Sequence, residues 1–211
     1  MFITLEGIEG SGKTSQVERL TAYFEARGMA TLVTREPGGT DIGRKIRAIL
    51  LDPENKALSS VAELLLYMAD RAQHLEVMIK PALKRGKTVI CDRYADATVV
   101  YQGYARGLTP DLMHRLHHLL FDDLKPDLTL LLDLDPEIGL SRAWRQLDGG
   151  VRSRREGRFE EEKLAFHERV RSGYLDLARR EPARFRVIDA AQDEQAVWED
   201  IRWILDRHLD G

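Results

Sequence analysis

Near the start of the chain stands Gly7-Ile8-Glu9-Gly10-Ser11-Gly12-Lys13-Thr14. The stretch fits G-x-x-x-x-G-K-[ST], and each fixed position has a physical reason. Glycines let successive backbone N–H groups curl around an oxyanion. A helix starting at the end of the loop adds its positive N-terminus. Lys13 is placed to reach the β- and γ-phosphates of a nucleoside triphosphate, and the Thr14 hydroxyl to ligate Mg2+. The flanks suit the pattern: residues 2–5 form an apolar strand-like run, and Val17, Leu20 and Phe24 recur behind the loop at helical spacing. Residues Gly7 through Thr14 are therefore the expected cradle for the phosphates of a nucleoside triphosphate. One of them is out of character. A carboxylate at Glu9 pointing into the nest would repel phosphate by about 4 kcal/mol at contact distance, so its side chain is expected to turn outward.

Outward from the loop, apolar runs at residues 2–5, 31–34, 88–91, 128–132 and 185–188 alternate with helical stretches. This β-α alternation predicts an α/β fold: a doubly wound, five-stranded parallel sheet with helices on both faces. Residues 128–132, LTLLL, are apolar throughout, as a strand covered on both sides must be. The helix behind the loop is expected to end near Gly28. Another is capped by Ser59 or Ser60 and runs to about Lys80, before Pro81. Further helices are predicted at residues 111–121 and about 194–209. The length of 211 residues suits one domain, with a basic, Gly-containing insertion at about 142–158, RAWRQLDGGVRSRREGR.

Composition narrows the class. Apolar residues make up 43% and charged residues 32%, with a net charge of −3, so no overall basic field points to nucleic acid. Cys91 is the one cysteine, which excludes an internal disulfide and suits a reducing compartment. No apolar run has the length of a membrane span, and the N-terminus lacks the charged and apolar regions of a secretory signal. A cytoplasmic protein without membrane or nucleic-acid partners is expected. His114, His117 and His118 share a helical face, but without a carboxylate in frame they read as a surface or interface helix.

A phosphate loop alone says only that a nucleotide binds. A GTPase would carry Asn-Lys-x-Asp after a strand, whereas Asn55-Lys56 is followed by Ala57-Leu58 and has no strand before it. Asp92 ends a strand-like run at the carboxyl edge of the sheet, where ligands bind, and can hold Mg2+ or its water. Arg93 adds a fork for a second phosphate, unless the two form a strand-end ion pair. Arg35 emerges at the same edge, and Pro37-Gly38-Gly39 turns the chain after Glu36. Tyr67 and Arg71 are four apart and share a helical face, which suits a base, or else Tyr67 is simply core. Thr98 and Gln102 are also four apart, on what reads as one short helix, and a glutamine amide both donates and accepts. Arg142, Arg145, Arg152, Arg154, Arg155 and Arg158 fall among Gly149, Gly150 and Gly157. That mixture suggests a lid that excludes water and supplies positive charge.

The segments FITLEGIEGSGKT, TREPGGT, LLYMADRAQHLE, IKPAL, VICDRY, YQG, KPDLTLLLDLDPEIGL, FEEEKLAFHERVRSGYLDLA and VIDAAQ, taken in order, resemble the bacterial thymidylate kinase family over nearly the whole chain. The resemblance implies transfer of a phosphoryl group from ATP to dTMP on the way to dTTP, dependence on Mg2+, and a homodimer. It implies that Tyr67 stacks on thymine, that Arg71, Thr98 and Gln102 surround the base, and that Tyr101 crowds the sugar 2′ position. It places Arg47 and Arg93 on the dTMP phosphate, Arg35 and Glu36 close by, and Glu9 on the sugar 3′-OH. Arg142 and Gln192 go to ATP. Catalysis falls to Lys13, Asp92, Arg93 and lid arginines, Arg155 and Arg158 among them, because Gly10 stands where some members carry a P-loop arginine. Members often read Asp-Arg-Phe/Ile-Glu where this chain has Gly157-Arg158-Phe159-Glu160, so the Asp is missing. Rival readings are a kinase for another nucleoside monophosphate, or a P-loop ATPase or GTPase switch.

Overall fold

The computed structural model describes residues 1–150 and 153–210. Among the described residues, five parallel strands form one sheet: β1 (Phe2–Glu6), β2 (Thr31–Arg35), β3 (Thr88–Asp92), β4 (Leu128–Asp133) and β5 (Phe185–Asp189). Their order is β2-β3-β1-β4-β5. Each strand runs one residue beyond its apolar stretch, and the added residues are Glu6, Arg35, Asp92, Asp133 and Asp189. The carboxyl edge is thus a row of charges above an apolar sheet. Central strands read differently from edge strands. β1 is buried along its whole length, and so are β3 and β4 up to their final acids, whereas β2 and β5 expose Val33 and Val187. A central strand meets helices on both faces and must be apolar throughout.

Around the sheet, α1 (Lys13–Glu25) packs on β1, β2 and β3 and touches α9 (Glu194–Asp210), which lies along β5. On β4 and β5 lies α8 (Leu164–Arg180). The chain moves from β1 toward the β2 edge and from β4 toward the β5 edge. Right-handed crossovers in opposite directions therefore put helices on both faces. The strand order reverses beside β1, so the loop after β1 sits at the switch point, where such sheets bind ligands. Further elements are α2 (Asp41–Leu51), α3 (Ser60–His74), α4 (Lys80–Lys84), α5 (Ala95–Thr98), α6 (Pro110–Phe121) and α7 (Pro136–Asp148).

Two helical expectations need correction. Ser59 caps α3 through the Ala62 N–H, as expected, but the helical path does not stop before Pro81. It passes through a π-helical segment, Leu75–Ile79, into α4, with Pro81 in the first turn of α4, where a missing N–H costs least. Thr98 and Gln102 likewise do not share one α-helix. α5 ends at Thr98 and passes into a π-helical segment, Val99–Ala105, that carries Gln102. On the helix expected at a surface or interface, His114 and His118 are exposed, but His117 is buried against Tyr94 and Phe121, with Nε2 3.1 Å from the Leu124 carbonyl. Cys91 is fully buried, and its thiol donates to the Arg93 carbonyl at 3.0 Å.

Candidate active site

In the loop after β1, Lys13 Nζ donates to the Gly7 and Ile8 carbonyls at 3.1 and 2.9 Å and to Ser11 Oγ at 3.3 Å. The ammonium is held over its own loop. Burial first, then the Arg93 charge, pulls its pKa down to about 8. Gly10 has φ +71°, and a Cβ there would lie 2.1 Å from the Gly139 carbonyl oxygen. A Cβ on Gly139 would in turn lie 2.6 Å from the Glu9 carbonyl oxygen. The loop and the first turn of α7 therefore touch backbone to backbone.

Two cavities open on this loop. The larger, about 510 Å³, runs from Gly10–Ser15 to Tyr67, Arg71, Thr98, Tyr101 and Gln102, with Arg35, Glu36 and Arg47 along one side and Asp92 and Arg93 beneath. The smaller, about 400 Å³, lies between Gly10–Gly12, Arg142, Arg145, Ala190 and Gln192. Gly10, Ser11, Gly12, Ser15 and Gln146 border both. The phosphate loop is a partition with one chamber on each side.

Glu9 faces the larger chamber. Its Oε1 accepts from Tyr101 Oη at 2.6 Å and from Arg93 at 3.1 Å, and its Oε2 lies 3.3 Å from His167 Nδ1. Burial opposes ionisation here, but the His167 contact and the Arg93 charge outweigh it and hold Glu9 well below the usual carboxylate range. The other arm of Arg93 donates to Tyr174 Oη at 3.1 Å. Arg93 has φ +68°, a left-handed conformation that is unfavourable for a bulky residue. It persists because three bonds bracket it. The Arg93 N–H donates to the Leu5 carbonyl at 3.0 Å, the Tyr94 N–H to Glu6 Oε1 at 2.8 Å, and the Cys91 thiol to the Arg93 carbonyl. Burial, then the nearby Asp96 charge, pushes the Glu6 carboxyl up to about 8. Glu6, His167 and Tyr174 were missed in the sequence. Only Glu6 left a signal, as a charged residue closing a fully buried strand.

At the far end of the chamber, Arg71 is fully buried and donates to Glu36 Oε2 at 2.9 Å, to the Tyr94 carbonyl at 3.2 Å and to Thr98 Oγ1 at 2.8 Å. Glu36 Oε1 lies 3.0 Å from His74 Nδ1. Burial opposes the Glu36 charge, yet Arg71 and His74 hold its pKa below the ordinary value. Tyr67 is half-buried: it packs against the core and also lines the chamber. Arg47 donates to the Pro37 carbonyl at 3.1 Å and to Glu156 at 2.8 Å. Arg35 lies exposed at the rim.

Beside the smaller chamber, Arg142 donates to the Ala190 carbonyl at 3.1 Å, and Gln192 to the Asp189 carbonyl and Asp200 at 3.2 and 3.0 Å. Arg155 is exposed on a 3-10 turn, Arg154–Glu156. Arg152 and part of the expected insertion lie outside the described residues. Arg158, expected at the transferring phosphoryl group, borders neither chamber. Its guanidinium donates to the Leu50 carbonyl and to Glu63 Oε2, both at 2.5 Å. The physical reason is Glu63: a carboxylate buried this deeply needs cationic partners, and Arg158 is one of them.

For Mg2+, the donors fit a substrate-borne ion. Asp92 Oδ1 is buried without a partner, and Thr14 shares the same chamber. Among the described residues no cluster of three or more His, Cys, Asp or Glu side chains could hold a metal alone. One carboxylate and one hydroxyl suit an ion that takes its other ligands from phosphates and water.

A P-loop with a chamber for a second nucleotide on its far side defines a nucleoside monophosphate kinase. Residues 5–201 match the family model for thymidylate kinase. The chain is 60% identical to the thymidylate kinase of Desulfosudis oleivorans over 190 residues, covering 90% of this chain and 89% of that protein. It is 56% identical to that of Desulforapulum autotrophicum over 209 residues, 99% and 92% of the two chains. The solved structure of the Ehrlichia chaffeensis thymidylate kinase superimposes with a TM-score of 0.77 at 36% identity, covering 98% of each chain. The chain belongs to the thymidylate kinase family, and its activity is the phosphorylation of dTMP to dTDP with ATP, a step of dTTP synthesis.

Proposed function

We infer that the transfer takes place across the phosphate loop, with dTMP in the larger chamber and ATP on the loop with its adenosine toward the smaller one. The observation that carries this is the partition: Gly10, Ser11 and Gly12 border both chambers. A switch protein needs one nucleotide site; a kinase for a nucleotide needs two that meet at phosphate.

An oxygen of the dTMP phosphate attacks the γ-phosphorus, and the bond from that phosphorus to the β,γ-bridging oxygen breaks, releasing ADP. The acceptor oxygen is already anionic, so no strong general base is required. The chain's work is positioning and charge neutralisation. Lys13 moves from its own carbonyls to the β- and γ-phosphates. Arg93 and Arg47 hold the acceptor phosphate, which takes the place of Glu156 on Arg47. Glu9 accepts from the sugar 3′-OH, Tyr101 stands beside C2′, and Tyr67 stacks on thymine near Arg71, Thr98 and Gln102. Arg142 and Gln192 bound the ATP side, and Arg155 is the lid arginine free to approach the phosphates, while Arg158 serves as an anchor. Thr14 and Asp92 would hold Mg2+, which when bound would supply charge neutralisation at the nucleotide phosphates.

A homodimer suits the apolar side chains left exposed on two helices, Val61 and Leu65 on α3 and Leu119 and Leu120 on α6. Sedimentation equilibrium checks it. Among the described residues no helix is long and apolar enough to cross a membrane. A cytoplasmic placement draws on the single, unpaired cysteine. The deciding experiment for the site is a panel of monophosphates with ATP and Mg2+. Strong preference for dTMP is expected. Equal turnover of dUMP, CMP or AMP overturns the acceptor assignment, and slow ATP hydrolysis indifferent to every monophosphate favours a switch.

A further inference from the structure

We propose that Glu63 is a positioning residue for acceptor specificity: it orients the Gln102 amide so that only a carbonyl oxygen faces the base. Glu63 stands in the first turn of α3 and is fully buried. Its Oε1 accepts from Gln102 Nε2 at 2.8 Å and from Arg106 Nε at 3.3 Å. Its Oε2 accepts from Arg158 at 2.5 Å and from Arg106 at 3.4 Å. Two guanidiniums flank this carboxylate, and a carboxylate can only accept. If the Gln102 amide turned over, two oxygens would meet with no proton between them. The amide nitrogen must therefore face Glu63.

The opposite end of the amide follows from this. Gln102 lines the larger chamber, and among the described residues no group donates to its Oε1. An unrestrained glutamine would offer a donor or an acceptor by turning about its last bond, and would serve a base edge of either kind. Restrained by Glu63, it offers an acceptor only. With dTMP in the larger chamber, as inferred above, the ring beside Tyr67 must bring an N–H to Gln102. Thymine carries one at N3, whereas cytosine presents a bare acceptor there and leaves Gln102 Oε1 facing a lone pair. Uracil has the same N–H, so this device separates thymine from cytosine and not from uracil. Because Arg158 anchors to the same carboxylate, the base reader and the segment that closes the basic insertion are tied to one group.

The test is Glu63→Gln, which removes the charge at nearly constant shape and lets the Gln102 amide turn. The measurements are kcat and KM for dTMP and dCMP, with KM for ATP. The ratio of kcat/KM for dTMP over dCMP is expected to fall about tenfold, the equivalent of one hydrogen bond to a charged group. The fall should come from KM, with kcat for dTMP and KM for ATP within about twofold of the unsubstituted enzyme. A merely structural role would lower kcat for both acceptors and leave their ratio unchanged, and that result overturns the proposal. In a Gln102→Met background, Glu63→Gln should no longer move the ratio; an undiminished effect there also overturns it. Should Glu63→Gln fail to fold, nitrogen-15 NMR of the unsubstituted protein decides. The Gln102 side-chain NH2 should show one strongly deshielded proton, bonded to the carboxylate, with and without dTMP. Loss of that signature on dTMP binding means that the amide turns to the base and the proposal is wrong. If dTMP binds and is turned over normally while the ratio stays fixed, Glu63 alone is misassigned; if dTMP binding shifts no amide resonance of the residues that line the larger chamber, the acceptor chamber itself is misassigned.

Discussion

The two chambers on either side of the phosphate loop are built by opposite means. The side inferred for dTMP is a set of buried, prepaired charges: Glu36 with Arg71 and His74, Glu9 with Arg93 and Tyr101, and Glu63 with Gln102, Arg106 and Arg158. The side inferred for ATP is bordered by Gly10–Gly12 and by exposed polar side chains, Gln192, Asp193 and Glu194 among them, with Arg142 on the Ala190 carbonyl. A triphosphate is recognised well by N–H groups and positive charge, whatever base it carries. One monophosphate among many must be told apart by side chains whose position is fixed in advance, and burial with a full set of partners supplies that.

The contrast can be broken at its shared wall. Lys13→Ala should lower kcat by about 10²–10³-fold or more, since it removes a preorganised cation from the developing charge; steady-state assays check this. Next comes the acceptor side. Glu36→Ala leaves Arg71 buried without its carboxylate and should cost about 3–5 kcal/mol, read from denaturant melts. Tyr67→Ala should raise KM for dTMP about tenfold or more with KM for ATP little changed, because stacking on one base is worth about 1–3 kcal/mol. Equal losses for both ligands would erase the distinction between chambers. A subtler test uses pH. With its pKa at about 8 in the free enzyme, Lys13 loses its charge as pH rises through that value, so kcat/KM for ATP should fall there. In kcat the limb should move to higher pH, because bound phosphates favour the charged amine. The smallest effect belongs to the exposed insertion: Arg154→Ala breaks a surface pair with Asp148 and should change stability by less than about 1 kcal/mol.

The division between chambers also explains what could be read in advance. The phosphate loop is local in sequence, so its residues could be assigned from spacing alone. All five strands were legible because a sheet covered on both faces demands apolar runs, and each runs one charged residue beyond its apolar stretch. The acceptor side is non-local. Glu9 meets Arg93, 84 positions away, and Arg158 meets Glu63, 95 positions away. Spacing could show that these side chains carry useful chemistry, not which partners would hold them. Arg158 illustrates this: a basic stretch looks like a pool of equivalent cations until one buried acid is seen to hold a member. The π-helical segment before Pro81 was hidden for another reason, since a proline marks an unmade hydrogen bond but not the wider turn that accommodates it.

The contact between Gly10 and Gly139 has a consequence for where positive charge can come from. A side chain at position 10 would have to pass through the carbonyl of α7, so no cation can be mounted on the loop there unless that helix retreats. Arginine grafted at this point should prise loop and helix apart before it helps any phosphate. Void space in the backbone, more than the chemistry of the reaction, settles which segment of the chain must carry the remaining charge.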